Sequence, residues 1–272
     1  MSDHKETIIG TKEIFNKPYL YDLHSNTQKK QAEFLIYLIK QYVKFFNIKP
    51  KLILDVGCGT GSLTKSIWRD HFPEAKIVGV DISESMIIKA KENLPKNHRI
   101  EYLCSNIEDF RYSCKFDLVY SNAAMHWINN QELAYNRIYD LMNQKGILFV
   151  HQGYKGCYRE LYEVTIKVLN ELGLSQRFGD ISYPLVYHTK ISIKNLLEKT
   201  GFKIVKAHAF ESGVTETLID DFTETVLLTY RKQFDEKEDS LFLKEFKKKA
   251  KKLTNIDTKR LYFVSIKNSH YI

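Results

Sequence analysis

The run Lys51-Leu-Ile-Leu-Asp-Val56, followed at once by Gly57-Cys-Gly-Thr-Gly61, constrains the fold of this 272-residue chain more than any other stretch. A short apolar segment ending in closely spaced glycines reads as a buried parallel strand that turns tightly into a helix. The same rhythm recurs downstream. Lys76–Asp81 (KIVGVD) predicts a second strand, and Ser83 offers a hydroxyl N-cap for the helix after it. Ile100–Leu103, Phe116–Ser121 and Gly146–His151 are further strand-like runs with helical patterns between them, and a helix over residues 28–46 precedes the first strand. Alternation of this kind implies a mostly parallel sheet with right-handed crossovers.

Beyond Gly153 the alternation loosens. Tyr158–Leu172 reads as a helix, Gly173–Lys190 as a polar and aromatic loop, and Ile193–Thr200 as a helix stopped by Gly201. Lys203–Phe210 is a sixth strand. Helices near Leu218–Phe234 and Ser240–Leu253 then interrupt the sheet before a last strand, Arg260–Ile266. The expectation is one domain over residues 1–272: an N-terminal segment (1–48), a core (49–153), helical inserts (154–190 and 215–256) and a closing strand (260–267).

Composition sets the outer limits. With 43 % hydrophobic residues the chain buries a sizeable core, which excludes wholesale disorder. No apolar run approaches the ~20 residues of a membrane span, and the N-terminus lacks the apolar stretch of a secretory signal. The four cysteines, Cys58, Cys104, Cys114 and Cys157, show no metal-ligand spacing. A soluble, cytoplasmic chain with no structural metal and no membrane partner is expected. The net charge of +8 is uneven: residues 231–260 hold eleven Lys/Arg against six Asp/Glu. Within that stretch Leu243, Phe246, Ala250 and Leu253 fall at helical spacing, so Lys244–Lys252 reads as the solvated face of an amphipathic helix. A docking face for an acidic partner is the alternative.

The glycine turn carries the chemical signal. A dinucleotide fingerprint would place its third glycine at position 62, which is Ser62; the spacing here is GxGxG, with Asp55 two residues before the first glycine. A carboxylate at that strand end suits an ammonium group better than a pyrophosphate. A second acid, Asp81, ends the second strand, where it can accept hydrogen bonds from two ribose hydroxyls. A nucleoside with a cationic or zwitterionic tail satisfies both acids.

At these residues the chain resembles the class I S-adenosylmethionine-dependent methyltransferases. LILDVGCGTGSLT and VGVDISESMI are similar to that family's first two motifs, and SNIEDF and FDLVYSNAAMHWINN to its third and fourth. The resemblance is close over residues 50–152 and extends beyond them only in element order. It implies a Rossmann-like α/β fold whose seven-stranded, mostly parallel sheet closes with an antiparallel last strand, RLYFVSI, with the helical inserts as an acceptor lid. It implies S-adenosylmethionine as cofactor and S-adenosylhomocysteine as product. By the same resemblance Asp55 and the turn Gly57, Cys58, Gly59 and Gly61 hold the methionine end, with Asn122 and Tyr21 nearby. Asp81 takes the ribose, Ile82 and Met86 pack on the adenine, and Asn106 and the backbone of Ile107 read its amino edge. Many members have an acid where Asn106 stands.

Asn122-Ala-Ala-Met-His126-Trp127, at the end of the fourth strand, marks the mouth of the pocket in an open α/β sheet. With Tyr21 and Gln28 upstream, it resembles the branch containing trans-aconitate, malonyl-carrier-protein and juvenile hormone acid methyltransferases, which esterify carboxylic acids. A carboxylate, with a pKa near ~4, needs no base at neutral pH; it needs orientation. Gln28, His126 and Trp127 are the expected catalytic donors, and Gln28, Trp127, His151, Tyr154 and Tyr187 the expected acceptor contacts. The acceptor is a small molecule, free or presented on an acyl carrier protein. The alternative is a nitrogen, carbon or hydroxyl acceptor, with His126 or His151 as base. RNA methylation and a non-catalytic cofactor-binding role are further alternatives. Against RNA, the insert aromatics Tyr154, Tyr158, Tyr162, Tyr183 and Tyr187 read as pocket lining rather than a stacking platform, and no added RNA-binding module is present.

Overall fold

The computed structural model describes residues 26–92, 94–96, 98–178, 185–212 and 216–267. Tyr21 and Tyr183 lie outside the described residues, and Gln28 is described only as part of a helical backbone.

Seven strands form one sheet: β1 (Leu52–Val56), β2 (Lys76–Asp81), β3 (Ile100–Cys104), β4 (Phe116–Asn122), β5 (Met142–Gly153), β6 (Phe202–Ser212) and β7 (Thr258–Lys267). Their order is β3-β2-β1-β4-β5-β7-β6, with β7 antiparallel to both β5 and β6 and the remaining pairs parallel. Between β1 and β4 the strand order reverses, and this switch point opens a crevice at the carboxyl ends of the strands.

Strict alternation along the strands splits the core in two layers. Ile53, Ile77, Leu118, Phe149 and Val264 face α1 (Asn26–Phe45) and α2 (Ser62–His71). Leu54, Val78, Val119, Leu148 and Phe263 face α4 (Gln131–Leu141) and α6 (Lys190–Thr200). The helix α3 (Glu84–Glu92) packs Ile87 and Ala90 against Tyr102 and Cys58 at the β3 edge.

The inserts after β5 and β6 build a separate apolar cluster. It joins α5 (Arg159–Glu171), α7 (Glu216–Glu224), α8 (Leu228–Arg231) and α9 (Glu236–Ala250) through Leu161, Val168, Phe222, Leu227, Phe242 and Phe246. Three expectations are corrected here. The helix expected over 218–234 breaks after Glu224, where the Thr223 and Thr225 hydroxyls bond back to the carbonyls of Ile219 and Asp221, and Arg231 takes the Thr223 carbonyl. The buried stripe of α9 begins at Phe242, not Leu243, and runs through Phe246 and Ala250. The loop expected over 173–190 contains a 3₁₀ turn, Ser175–Phe178, and gives way to α6 at Lys190. Gly201 closes α6 in the left-handed region, φ 104°, as expected.

Candidate active site

A cavity of about 220 Å³ opens at the switch point. Its floor is the glycine turn. The Gly57 and Cys58 amides donate to the Val80 carbonyl at 2.8 and 3.0 Å, tying the end of β1 to β2. Gly57 and Gly61 adopt φ of 74° and 73°; a Cβ at Gly57 would stand 2.2 Å from that of Ala124, and one at Gly61 would strike the Tyr102 hydroxyl. Only glycine accommodates both the conformation and the approach. Ala123, the residue after β4, is also left-handed at φ 56°, a strained position for a side chain at the cavity wall.

Asp81 lines the cavity. Its two oxygens accept the amides of Gly59 and Ser83, each at 2.9 Å, which still leaves acceptor capacity for a ligand's hydroxyls. Burial raises its pKa against the backbone donors that lower it. Ile82, Met86, Asn106, Ile107, Gly57, Gly59, Asn122 and Trp127 complete the part of the wall anticipated from sequence. Ser105, Glu108, Ala124, Ile128 and Asn129 also line it. Glu108 belongs to the SNIEDF run and could have been read there. It holds Asn106, whose Nδ2 donates to its carboxylate at 2.8 Å while the Asn106 Oδ1 accepts the Glu108 amide at 3.2 Å.

Other anticipated residues lie elsewhere. Asp55 is 2 % exposed, off the cavity wall, and one of its oxygens accepts both Thr64 Oγ1 (2.6 Å) and Tyr120 OH (2.8 Å). Burial outweighs these two donors and pushes its pKa up to about 7. Cys58 and Gly61 are likewise outside the lining, and Cys58 packs toward α3.

On the acceptor side, Trp127 alone of the anticipated residues whose side chains are described reaches the cavity wall. His126 is buried behind it, with Nδ1 accepting the Gly153 amide at 3.3 Å; burial and the nearby Arg260 charge push its pKa down to about 3. His151 is fully buried, stacked 4.3 Å from the Tyr262 ring, and its Nδ1 is 2.8 Å from Asn122 Oδ1. Since an amide oxygen only accepts, His151 Nδ1 carries the proton. Burial lowers its pKa well below the ordinary range. Tyr154 spends its hydroxyl on Glu211 and sits under the Lys190 ammonium, away from the cavity. Tyr187 packs on His126, with ring centroids 5.8 Å apart.

The wall fits a nucleoside with a zwitterionic tail: a carboxylate with spare acceptor capacity, two apolar side chains for a base, and bare glycine backbone. Comparison with known proteins bears on the same point. Residues 54–150 match the family model described as a methyltransferase domain. Malonyl-acyl-carrier-protein O-methyltransferase of Priestia megaterium is 32 % identical over 215 residues, covering 79 % of this chain and 75 % of that protein. The chain belongs to the class I S-adenosylmethionine-dependent methyltransferases. Malonyl-acyl-carrier-protein O-methyltransferase 1 of Ilyobacter polytropus is 35 % identical to this methyltransferase over 159 residues, which span 57 % of its length. Among solved structures, phosphoethanolamine N-methyltransferase 2 of Haemonchus contortus superposes with a TM-score of 0.61 at 16 % identity, covering 97 % of this chain and 60 % of that one. The plantazolicin methyltransferase BamL gives 0.55 at 18 % identity, covering 92 % and 89 %. These two share the fold of the methyltransferase. Its cofactor is S-adenosylmethionine. Among the described residues no helix is long and apolar enough to cross a membrane, and no group of side chains could hold a metal ion.

Proposed function

We propose that this methyltransferase forms the methyl ester of a carboxylic acid presented on an acyl carrier protein, with a malonyl thioester as the reference acceptor. The observation that carries the reading is the state of the two histidines. Both His126 and His151 are buried and held neutral, His126 with a pKa near 3, so neither is matched to deprotonating an amine or a hydroxyl at neutral pH. A carboxylate is already an anion and asks for no base. The activity for which the two similar proteins are named, malonyl-acyl-carrier-protein O-methylation, supports the same choice.

S-adenosylmethionine supplies an electrophilic methyl group on a sulfonium and leaves as the neutral thioether. The rest is done by the chain. Asp81 holds the ribose, Ile82 and Met86 enclose the adenine, and Asn106, Ile107 and Glu108 line its edge. Gly57 and Gly59 let the methionine end lie on bare backbone, while Asp55 steadies the turn from behind. Trp127 orients the acceptor with its indole N–H, and Gln28 is a second candidate donor to it. His126 and His151 support the wall through Gly153 and Asn122 rather than moving protons. The exposed Lys244, Lys248, Lys251 and Lys252 give α9 a basic surface suited to an acidic carrier.

A labelled-methyl transfer assay with malonyl-carrier protein, malonyl-coenzyme A and free di- and monocarboxylic acids tests the reading. The expected product is a base-labile ester, formed fastest on the carrier-bound malonyl group. Base-stable label on an amine, a carbon or a hydroxyl would replace it with base-assisted chemistry.

A further inference from the structure

Among the described residues, Arg260 is a buried cation without a carboxylate partner. It is 7 % exposed, and its Nη2 donates to the Tyr158 hydroxyl, with the guanidinium 5.0 Å above that ring. Its Nε is buried and makes no hydrogen bond, and no ion pair found among the described residues includes it. The contrast with Arg231 is direct: that guanidinium, also largely covered, has Glu224 at 3.5 Å and Asp239 at 2.7 Å. The groups whose charge acts on Arg260 are Cys157, Tyr158, Tyr187 and Tyr262, a thiol and three phenols. Burial raises the pKa of the phenols, Tyr158 to about 12, so they are neutral at physiological pH and do not balance the charge.

An uncompensated buried charge costs several kcal/mol. A chain that keeps one at the carboxyl edge of its sheet, behind the cavity wall, has a use for an anion that arrives from outside. The position supports this. Arg260 pairs across the sheet with Gly153, two residues beyond His151, which pairs with the cavity-lining Asn122. The guanidinium therefore stands at the same carboxyl edge of the sheet as the cavity, between the strands and the helical inserts. A second unpartnered group lies beside it. The Tyr187 hydroxyl is buried with no hydrogen bond, and the Tyr187 ring closes over Gly153, where a Cβ would come within 2.5 Å of it. Trp127, on the cavity wall, packs against the same cluster as Tyr187.

We propose that Arg260 and Tyr187 form the anion-holding subsite of the acceptor site, binding the carboxylate that receives the methyl group. The proposal rests on the carboxyl-methylation reading and gives it a residue. A guanidinium and a phenol O–H are both donors, and the planar fork matches one carboxylate. In the reaction the second carboxylate oxygen forms a bond to the methyl carbon while the methyl–sulfur bond breaks, and its electron pair stays on sulfur; no proton moves. The neutral ester that results has lost the charge Arg260 binds, so product leaves the subsite more readily than substrate.

Calorimetry with malonate as the probe, on the full chain saturated with S-adenosylhomocysteine, tests the subsite apart from turnover. Wild type is expected to bind malonate but not malonamide, and Arg260→Met to lose malonate binding at least 10-fold with S-adenosylhomocysteine affinity unchanged. In the transfer assay the same substitution should raise KM for the malonyl acceptor 10- to 100-fold, with Arg260→Lys in between. Tyr187→Phe should raise KM roughly 3- to 10-fold, and it decides the matter should Arg260→Met fail to fold. Unchanged malonate affinity and KM in Arg260→Met, or in Tyr187→Phe where that variant decides, would make the arginine a packing residue and overturn the proposal. Should wild type methylate no carboxylic acid yet bind malonate through Arg260, the reaction assignment fails while the anion subsite stands.

Discussion

Asp81 and His126 show how burial assigns different work to two ionisable residues, one on the cavity wall and one behind it. Asp81 keeps acceptor capacity toward the cavity while its backbone donors hold it in place. Asp81→Ala should lower S-adenosylhomocysteine affinity by about 1.5–3 kcal/mol, the worth of hydrogen bonds to a charged group, and calorimetry would read this as a 10- to 150-fold rise in Kd. Unaltered affinity would take the ribose away from this acid. His126 titrates in the folded chain near pH 3, below its ordinary value, so the stability it contributes is complete above pH 6.5 and declines as the pH falls toward 3. Asp55 has the opposite sign: raised to about 7, it favours the fold most below pH 4 and least above pH 7. Urea unfolding at pH 7 and pH 4.5 therefore has to be compared between variants. His126→Asn should lose about 2–3 kcal/mol less than wild type across that interval, since Asp55 contributes equally to both. Equal losses would mean His126 protonates freely in the fold. Asp81, Met86, Asn122 and Trp127 were legible as residues because each sits at a fixed offset from a strand end. Arg260 was not: within RLYFVSI it reads as the polar flank of a strand, and its place beside the pocket comes from antiparallel pairing with Gly153, more than a hundred residues away.

At the scale of elements, local signals carried the parallel half of the sheet and failed where tertiary packing decides. The apolar runs of β1, β2 and β4 are buried on both faces, so their pattern is unambiguous. In α9 a strip of four apolar candidates could be drawn through Leu243 or Phe242, and only contact with α5 and α7 selects Phe242, Phe246 and Ala250. Lys247 and Lys249 are spoken for too, pairing with Asp220 and Glu171 on those neighbours, so part of the lysine run is structural rather than a docking face. The helix has a strong local start. Asp235 accepts the Lys237 and Glu238 amides at 2.9 Å, Glu238 returns to the Asp235 amide, three acids fill the first turn, and Lys247, Lys248 and Lys249 fill the last. Asp235→Ala should cost about 1 kcal/mol. Because α9 belongs to the insert cluster, amide exchange should quicken in α5 and α9 and stay unchanged in β1, β4 and β5. A uniform increase would show one cooperative unit instead of two.

The whole molecule has two apolar bodies, the layered sheet and the helical insert cluster, with Trp127, Tyr187 and Arg260 where they meet. That arrangement suits an enzyme that must admit an acceptor to a sulfonium and then keep water from it. A lid role for the inserts predicts that exchange in residues 154–178 and 216–256 slows when S-adenosylhomocysteine and a malonyl acceptor are both bound, more than with either alone. Equal protection in every state would leave these helices a fixed wall. The same architecture fixes the pH profile of turnover. An acceptor carboxylate is ionised well below neutrality, the two buried histidines behind the wall do not titrate near pH 6.5, and Arg260 stays charged throughout, with its pKa raised above its ordinary value. Asp55, behind the cavity, titrates near neutrality, at about 7, and it reports on the cofactor turn. With cofactor and acceptor saturating, kcat should be level from pH 6 to pH 8, while any rise near pH 7 should appear only in the cofactor's KM. An acid limb in kcat near pH 6.5 that His126→Asn or His151→Asn removes would show a histidine taking a proton in the reaction, and ester formation would give way to base-assisted methylation.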